Sequence, residues 1–159
     1  LGDVSGALTL ENPYTANSIK TFNLKAGTEE YKEKLLSYAQ KFIGTQENLV
    51  TIMSSGYADE DGDALFDLIN SMSAELANIE TPQENLIDHL TLANSYYHLA
   101  GALRGILVDT EDPLLALVST QLLEEVGQTL GTTNNSIAIF LRDNGIILEN
   151  GELKYVENE

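Results

Sequence analysis

No cysteine occurs anywhere in the 159 residues, so disulfides, thiolate metal sites and cysteine nucleophiles are excluded at the outset. The same absence leaves the compartment open, because a chain without Cys suits cytosol and exterior alike. Cations are scarce too: eight Lys and Arg stand against 25 Asp and Glu, a formal net charge of −17. That charge repels polyanions, and binding to nucleic acid needs clustered cations to displace condensed counterions, so no nucleic-acid partner is expected. Long apolar runs are missing as well. The most apolar stretch, Leu86 to Val108, is interrupted by Asp88, His89, His98 and Arg104 and does not read as a membrane span. Also lacking are a Gly-flanked Ser elbow, a Gly-rich loop before Lys and Ser or Thr, and a His-Glu zinc helix.

What is present suffices for one core. The hydrophobic fraction of 43% is that of an ordinary globular protein, and a domain of this size buries about 70% of the surface its unfolded chain exposes. Charge is unevenly distributed. Five Lys (Lys20, Lys25, Lys32, Lys34, Lys41) and five acids (Asp3, Glu11, Glu29, Glu30, Glu33) cancel in residues 1–41, leaving three cations and twenty acids for the rest. Solvated acidic faces are expected there, able to steer a cationic partner or attract divalent ions.

Residues 1–27 mix Gly, Ser, Thr and Asn with isolated apolar residues and show no helical period, which predicts an extended leader that packs on the body or links it to something upstream. Residues 28–159 form the bundle domain. Tyr31, Leu35, Tyr38 and Phe42 fall on one helix face, and Gly44-Thr45 is expected to kink or end that helix, giving one interrupted helix or two up to Ser54. Leu65, Leu68, Ile69, Met72, Leu76 and Ile79 make a second stripe. Thr81, Pro82 and Glu84 read as a capping box with proline at the first helical position, opening a helix to Val108. Its apolar arc of roughly 200° predicts a central helix touching several neighbours. Asp112-Pro113 opens a further helix ending near Gly127 to Gly131, and a shorter one follows from about Asn134 to Arg142, stopped by Asn144-Gly145. Asn150-Gly151 between two short apolar runs predicts a β-hairpin over 146–156. The fold class is therefore all-α in the main: an up-and-down bundle of four to five helices with an extended N-terminal leader and a small C-terminal hairpin.

Few residues suggest chemistry. His89 and His98 are nine apart and lie on opposite sides of one helix, so they do not share a site; His89 points into the apolar arc as a packing histidine with a hydrogen-bond partner, and His98 toward the polar side near Asn94. A di-iron pattern needs Glu three before His, where this chain has Leu86 and Ser95. Asp59, Asp61, Asp63 and Asp67 fit positions one, three, five and nine of a calcium loop, but Ala64 replaces the glycine at six and Asn70 the glutamate at twelve. These four carboxylates are the candidate Ca²⁺ ligands, and a polar turn favouring the next helix N-terminus is the simpler explanation. Tyr96 and Tyr97 are expected to fill core with their hydroxyls on polar partners, and Gly101 and Gly105 to let another helix approach closely.

Pro82, His89-Leu90, Leu92-Ala93-Asn94, Asp112-Pro113-Leu114 and Gly145-Ile146 carry a resemblance, confined to Thr81–Gly151, to a family of helical domains from small-genome bacteria. Members of that family have no assigned role and are often preceded by a membrane anchor. The resemblance implies an extracytoplasmic, anchored module, and it supplies no catalytic residues. Leu1 rather than Met at the start suggests a processed or trimmed form, from which a signal peptide or membrane anchor could have been removed. The sequence thus leads to a non-enzymatic binding or structural module outside the cytoplasm, its partner another protein or a cell-surface assembly. A divalent-cation-responsive acidic loop and a hydrolase with a carboxylate pair in an inter-helix cleft are the alternatives.

Overall fold

The computed structural model describes residues 11–54, 62–107 and 111–157. Four helices dominate it: α1 (Glu29–Ser54), α2 (Gly62–Ala77), α3 (Leu86–Leu107) and α4 (Pro113–Asp143). Two-residue strands β1 (Thr21–Phe22) and β2 (Thr81–Pro82) pair in parallel, and β3 (Ile146–Glu149) and β4 (Glu152–Tyr155) form an antiparallel hairpin. The fold is mainly all-α, an up-and-down bundle with a terminal hairpin.

The apolar stripes explain the packing. Tyr31, Leu35, Tyr38 and Phe42 bury one side of α1, and Leu65, Ile69, Met72 and Leu76 one side of α2. Helix α3 packs against both α2 and α4. Its buried set includes Leu92, Ala93, Asn94, Ser95, Tyr96, Leu99, Ala100, Ala102, Leu103 and Gly105, a wider arc than the apolar residues alone predict. Tyr97, expected in that arc, is exposed and meets His98 edge-on at 6.0 Å.

Three expected helix boundaries need correction. Thr81 and Pro82 do not open the central helix. They form β2, with Thr81 N bonded to Lys20 O at 2.9 Å and Thr81 Oγ1 donating to Ile79 O; a 3₁₀ turn over Gln83–Asn85 follows, and the α-helix begins at Leu86. Pairing with the leader strand outweighs the local capping signal. The segment from Pro113 does not stop at Gly127–Gly131 but continues as one helix to Asp143. Val126, Leu130, Thr133, Ile137 and Leu141 keep a three-to-four spacing through both glycines, and burial of that stripe outweighs the about 1 kcal/mol that each exposed glycine costs relative to alanine. Likewise α1 runs unbroken through Gly44-Thr45, where Thr45 Oγ1 donates to Lys41 O.

Other signals hold. Asp112 caps α4, accepting from Leu114 N and Leu115 N at 3.0 and 3.3 Å, with Pro113 at the first helical position. Gly145 takes φ +96° after Asn144, and Asn150-Gly151 both lie at positive φ, as a type I′ turn requires. The described part of the leader, residues 11–27, lies against the bundle: Ile19 and Phe22 are buried, and Asn94 clamps Tyr14 by accepting from its N–H and donating to its carbonyl, each at 3.1 Å.

At Gly105 helix α4 comes close enough that a side chain would clash. A methyl there would sit 1.9 Å from Ser119 Oγ and 2.9 Å from its Cβ, whereas Gly101 has open space. Gly105→Ala is expected to lose about 1–3 kcal/mol by overpacking, and Gly101→Ala to gain about 0.5–1 kcal/mol by removing a mid-helix glycine. Urea denaturation midpoints moving in the same direction for both variants would refute the α3–α4 contact described here.

Candidate functional site

His89 is a titratable group inside the core. Its ring is fully buried, with Nε2 2.6 Å from the Leu76 carbonyl and Nδ1 2.9 Å from the Tyr38 hydroxyl. A carbonyl only accepts, so Nε2 carries the proton, and in the neutral ring Nδ1 accepts from Tyr38. The Tyr38 oxygen in turn accepts from Asn85 Nδ2 at 2.9 Å. Both imidazole nitrogens and the Tyr38 hydroxyl are thereby paired, and the imidazole joins α1, α2 and α3. Burial pulls the His89 pKa below its ordinary value, opposed by the bond to Leu76, and burial pushes the Tyr38 hydroxyl well above its own. The neutral imidazole is the packing element that its place in the apolar arc predicts.

Tyr96 is buried against the same core, and its hydroxyl is also raised by burial. Gln46 lies near it, but neither the Tyr96 hydroxyl nor Gln46 Nε2 has a partner of full hydrogen-bond geometry.

His98 belongs to a different environment. It is half-buried, its Nε2 lies 3.3 Å from the Glu11 carbonyl, and it lines a cleft of about 310 Å³ between α3 and α4. Leu90, Thr91, Asn94, Ser95 and His98 form one wall, Leu122, Glu125, Val126 and Thr129 the other, and Asn12 of the leader closes one side. The leader is held across the cleft by Asn94 and His98. Among the described residues, no hydrogen bond or ion pair joins His98 to Glu125, and Glu125 is the one carboxylate on the cleft walls. Sequence reading put His98 on the polar side near Asn94 but did not foresee this cleft, nor Ser95, Glu125 and Thr129 in it. The signal was present: Thr91, Asn94-Ser95 and His98 make a polar stripe at helical spacing on an otherwise buried helix.

The acidic loop is only partly within view. Asp59 and Asp61 lie outside the described residues; Asp63 and Asp67 sit exposed on the first turns of α2, and Asp63 approaches Arg104 Nε at 4.0 Å. Arg104 also covers the Phe66 ring at 4.9 Å. Elsewhere the leader and α1 cations meet acids from the rest of the chain. Glu80 takes Lys34 at 2.6 Å and Lys20 at 3.9 Å, and the Lys34 bond holds its carboxyl below the ordinary range; Lys32 pairs with Glu157 and Glu29.

Compared with family models, curated proteins and solved structures, the chain matches none.

The His89 network sets a pH dependence. Unfolded imidazole takes a proton near pH 6.5, whereas the folded group does so only at lower pH, so its contribution to stability is complete above about 6.5 and falls as the solution is acidified through that window. The wild type should lose up to about 1.4 kcal/mol per pH unit there from this group alone. His89→Gln should lack that component, and equal acid slopes for the two proteins in chemical denaturation would remove the assignment. Tyr38→Phe leaves Nδ1 and the Asn85 amide without partners and is expected to cost about 1–3 kcal/mol at neutral pH.

Proposed function

We propose that this chain is a non-enzymatic binding module acting outside the cytoplasm, and that the α3–α4 cleft is where it binds. One observation carries the reading: a preformed, polar-lined hollow of about 310 Å³ lies on the helix at the centre of the bundle, with the leader clamped across it. Its size falls at the lower end of ligand pockets. Its acid and imidazole are not bonded to each other, and the other histidine is committed to the core. The extracytoplasmic placement rests on the resemblance over Thr81–Gly151.

A screen of small polar compounds against isotope-labelled protein tests the cleft. Ligand-induced amide shifts are expected to concentrate on residues 90–98 and 122–129; shifts confined to other faces, or none across the screen, overturn the reading. Placement is tested separately by labelling intact cells that express the tagged full-length product with a membrane-impermeant amine reagent. Protection of the tagged protein until lysis would rule out an exterior location. In the same reading the acidic loop is a helix-leading turn, so calorimetry with Ca²⁺ gives no saturable heat at millimolar ion. Heat abolished by Asp63→Asn with Asp67→Asn would favour the cation-responsive alternative instead.

A further inference from the structure

We infer that the α3–α4 cleft takes a small donor-rich ammonium compound of monosaccharide size, in chemical class an amino sugar; the inference rests on the reading of the cleft as the binding site. The argument is an inventory of what the walls still offer once internal bonds are made. Thr91 Oγ1 donates to Ile87 O at 2.9 Å and Thr129 Oγ1 to Glu125 O at 3.1 Å, so each hydroxyl has given away its proton and keeps only acceptor capacity. His98 donates through Nε2 to Glu11 O, which leaves Nδ1 of the neutral ring an acceptor. The Asn94 amide accepts from and donates to Tyr14, keeping one N–H, and Asn12 adds a second amide to the lining. Glu125 contributes a carboxylate with no ion pair among the described residues, and no Lys or Arg lines the cleft.

Ser95 is the second, independent observation. Only 4% of it is exposed, it lines the cleft, and no side-chain hydrogen bond among the described residues uses its hydroxyl. A serine in mid-helix can return its proton to the preceding turn, as Thr91 does on this same helix, or leave it for another partner. Here one donor-acceptor hydroxyl stands at the wall of a hollow furnished mainly with acceptors, beside the Asn12 and Asn94 amides. A complementary ligand must therefore bring donors, including one cationic donor for Glu125, and can accept from Ser95 and from the Asn12 and Asn94 amides. Leu90, Leu122 and Val126 give the cleft an apolar part suited to the C–H face of a saturated ring. The net charge of −17 favours approach by a cation and opposes an anion.

Three hexoses that differ in charge separate the possibilities: glucosamine, N-acetylglucosamine and glucuronate, each titrated at neutral pH into the full labelled chain. Saturable shifts at residues 90–98 and 122–129 are expected with glucosamine, about tenfold weaker binding with N-acetylglucosamine, and no saturation with glucuronate. Glu125→Gln, an exposed position, should weaken glucosamine about tenfold and leave N-acetylglucosamine unchanged, whereas Ser95→Ala should weaken both. Equal or tighter cleft binding of the neutral or anionic sugar overturns the ligand class and leaves the cleft reading standing. So does silence from all three sugars if the wider screen finds another occupant there. Glucosamine shifts scattered over the acidic faces and unaltered by Glu125→Gln also overturn it. Silence in the cleft from every compound removes both readings.

Discussion

One imidazole holds three helices in register. His89 leaves α3 with two nitrogens that need partners, and the only way to bury it neutral is to bring a carbonyl from the end of α2 and a hydroxyl from α1 to fixed positions. Those two bonds set where α1 and α2 stop sliding along α3. The requirement reaches further, because the Tyr38 oxygen needs the Asn85 amide, and Asn85 is buried in the 3₁₀ turn that precedes α3. Apolar burial drives the collapse of the bundle, but apolar contacts alone tolerate many registers. Directional bonds inside the core select one.

The same helix that supplies the locked imidazole supplies the open cleft, and the difference is one of neighbours. At His89 the helix is covered by α1 and α2. From Thr91 to His98 its other side meets α4, which comes within clashing distance of a side chain where Ser119 faces Gly105. The leader crosses the resulting hollow rather than filling it. Charge follows a similar division. The N-terminal lysines bind Glu80 and Glu157, fastening the leader and α1 to the β2 link and the tail, while acids such as Glu125 are left facing water.

Much of the architecture was legible because local and tertiary preferences agree. The stripe on α2, the Asp112-Pro113 cap and the Asn150-Gly151 turn each satisfy their own backbone and also present the right face to the core. Misreadings fall where the two conflict. Thr81, Pro82 and Glu84 form a convincing helix start, yet Thr81 is needed by a strand distant in sequence, and no local window contains that partner. Gly127 and Gly131 look like a terminus when propensity is read residue by residue; only the spacing of the buried stripe across them shows continuity. The histidines were placed correctly from the wheel. The cleft was not, because its walls come from two helices and the leader, and because Ser95 resembles any helical serine until its missing bond is noticed.

The parallel bridge between β1 and β2 has a consequence for biosynthesis. Thr21 and Phe22 leave the ribosome well before Thr81 and Pro82 exist, with the whole of α1 and α2 between them. A hairpin closes on neighbours already made, but this pairing must await the packing of the two intervening helices, since closing so long a loop for two residues is unfavourable alone. The leader is thus a late fastener: it closes over α1 and α2 once they have packed, and a nascent chain arrested before β2 carries its first strand unmatched.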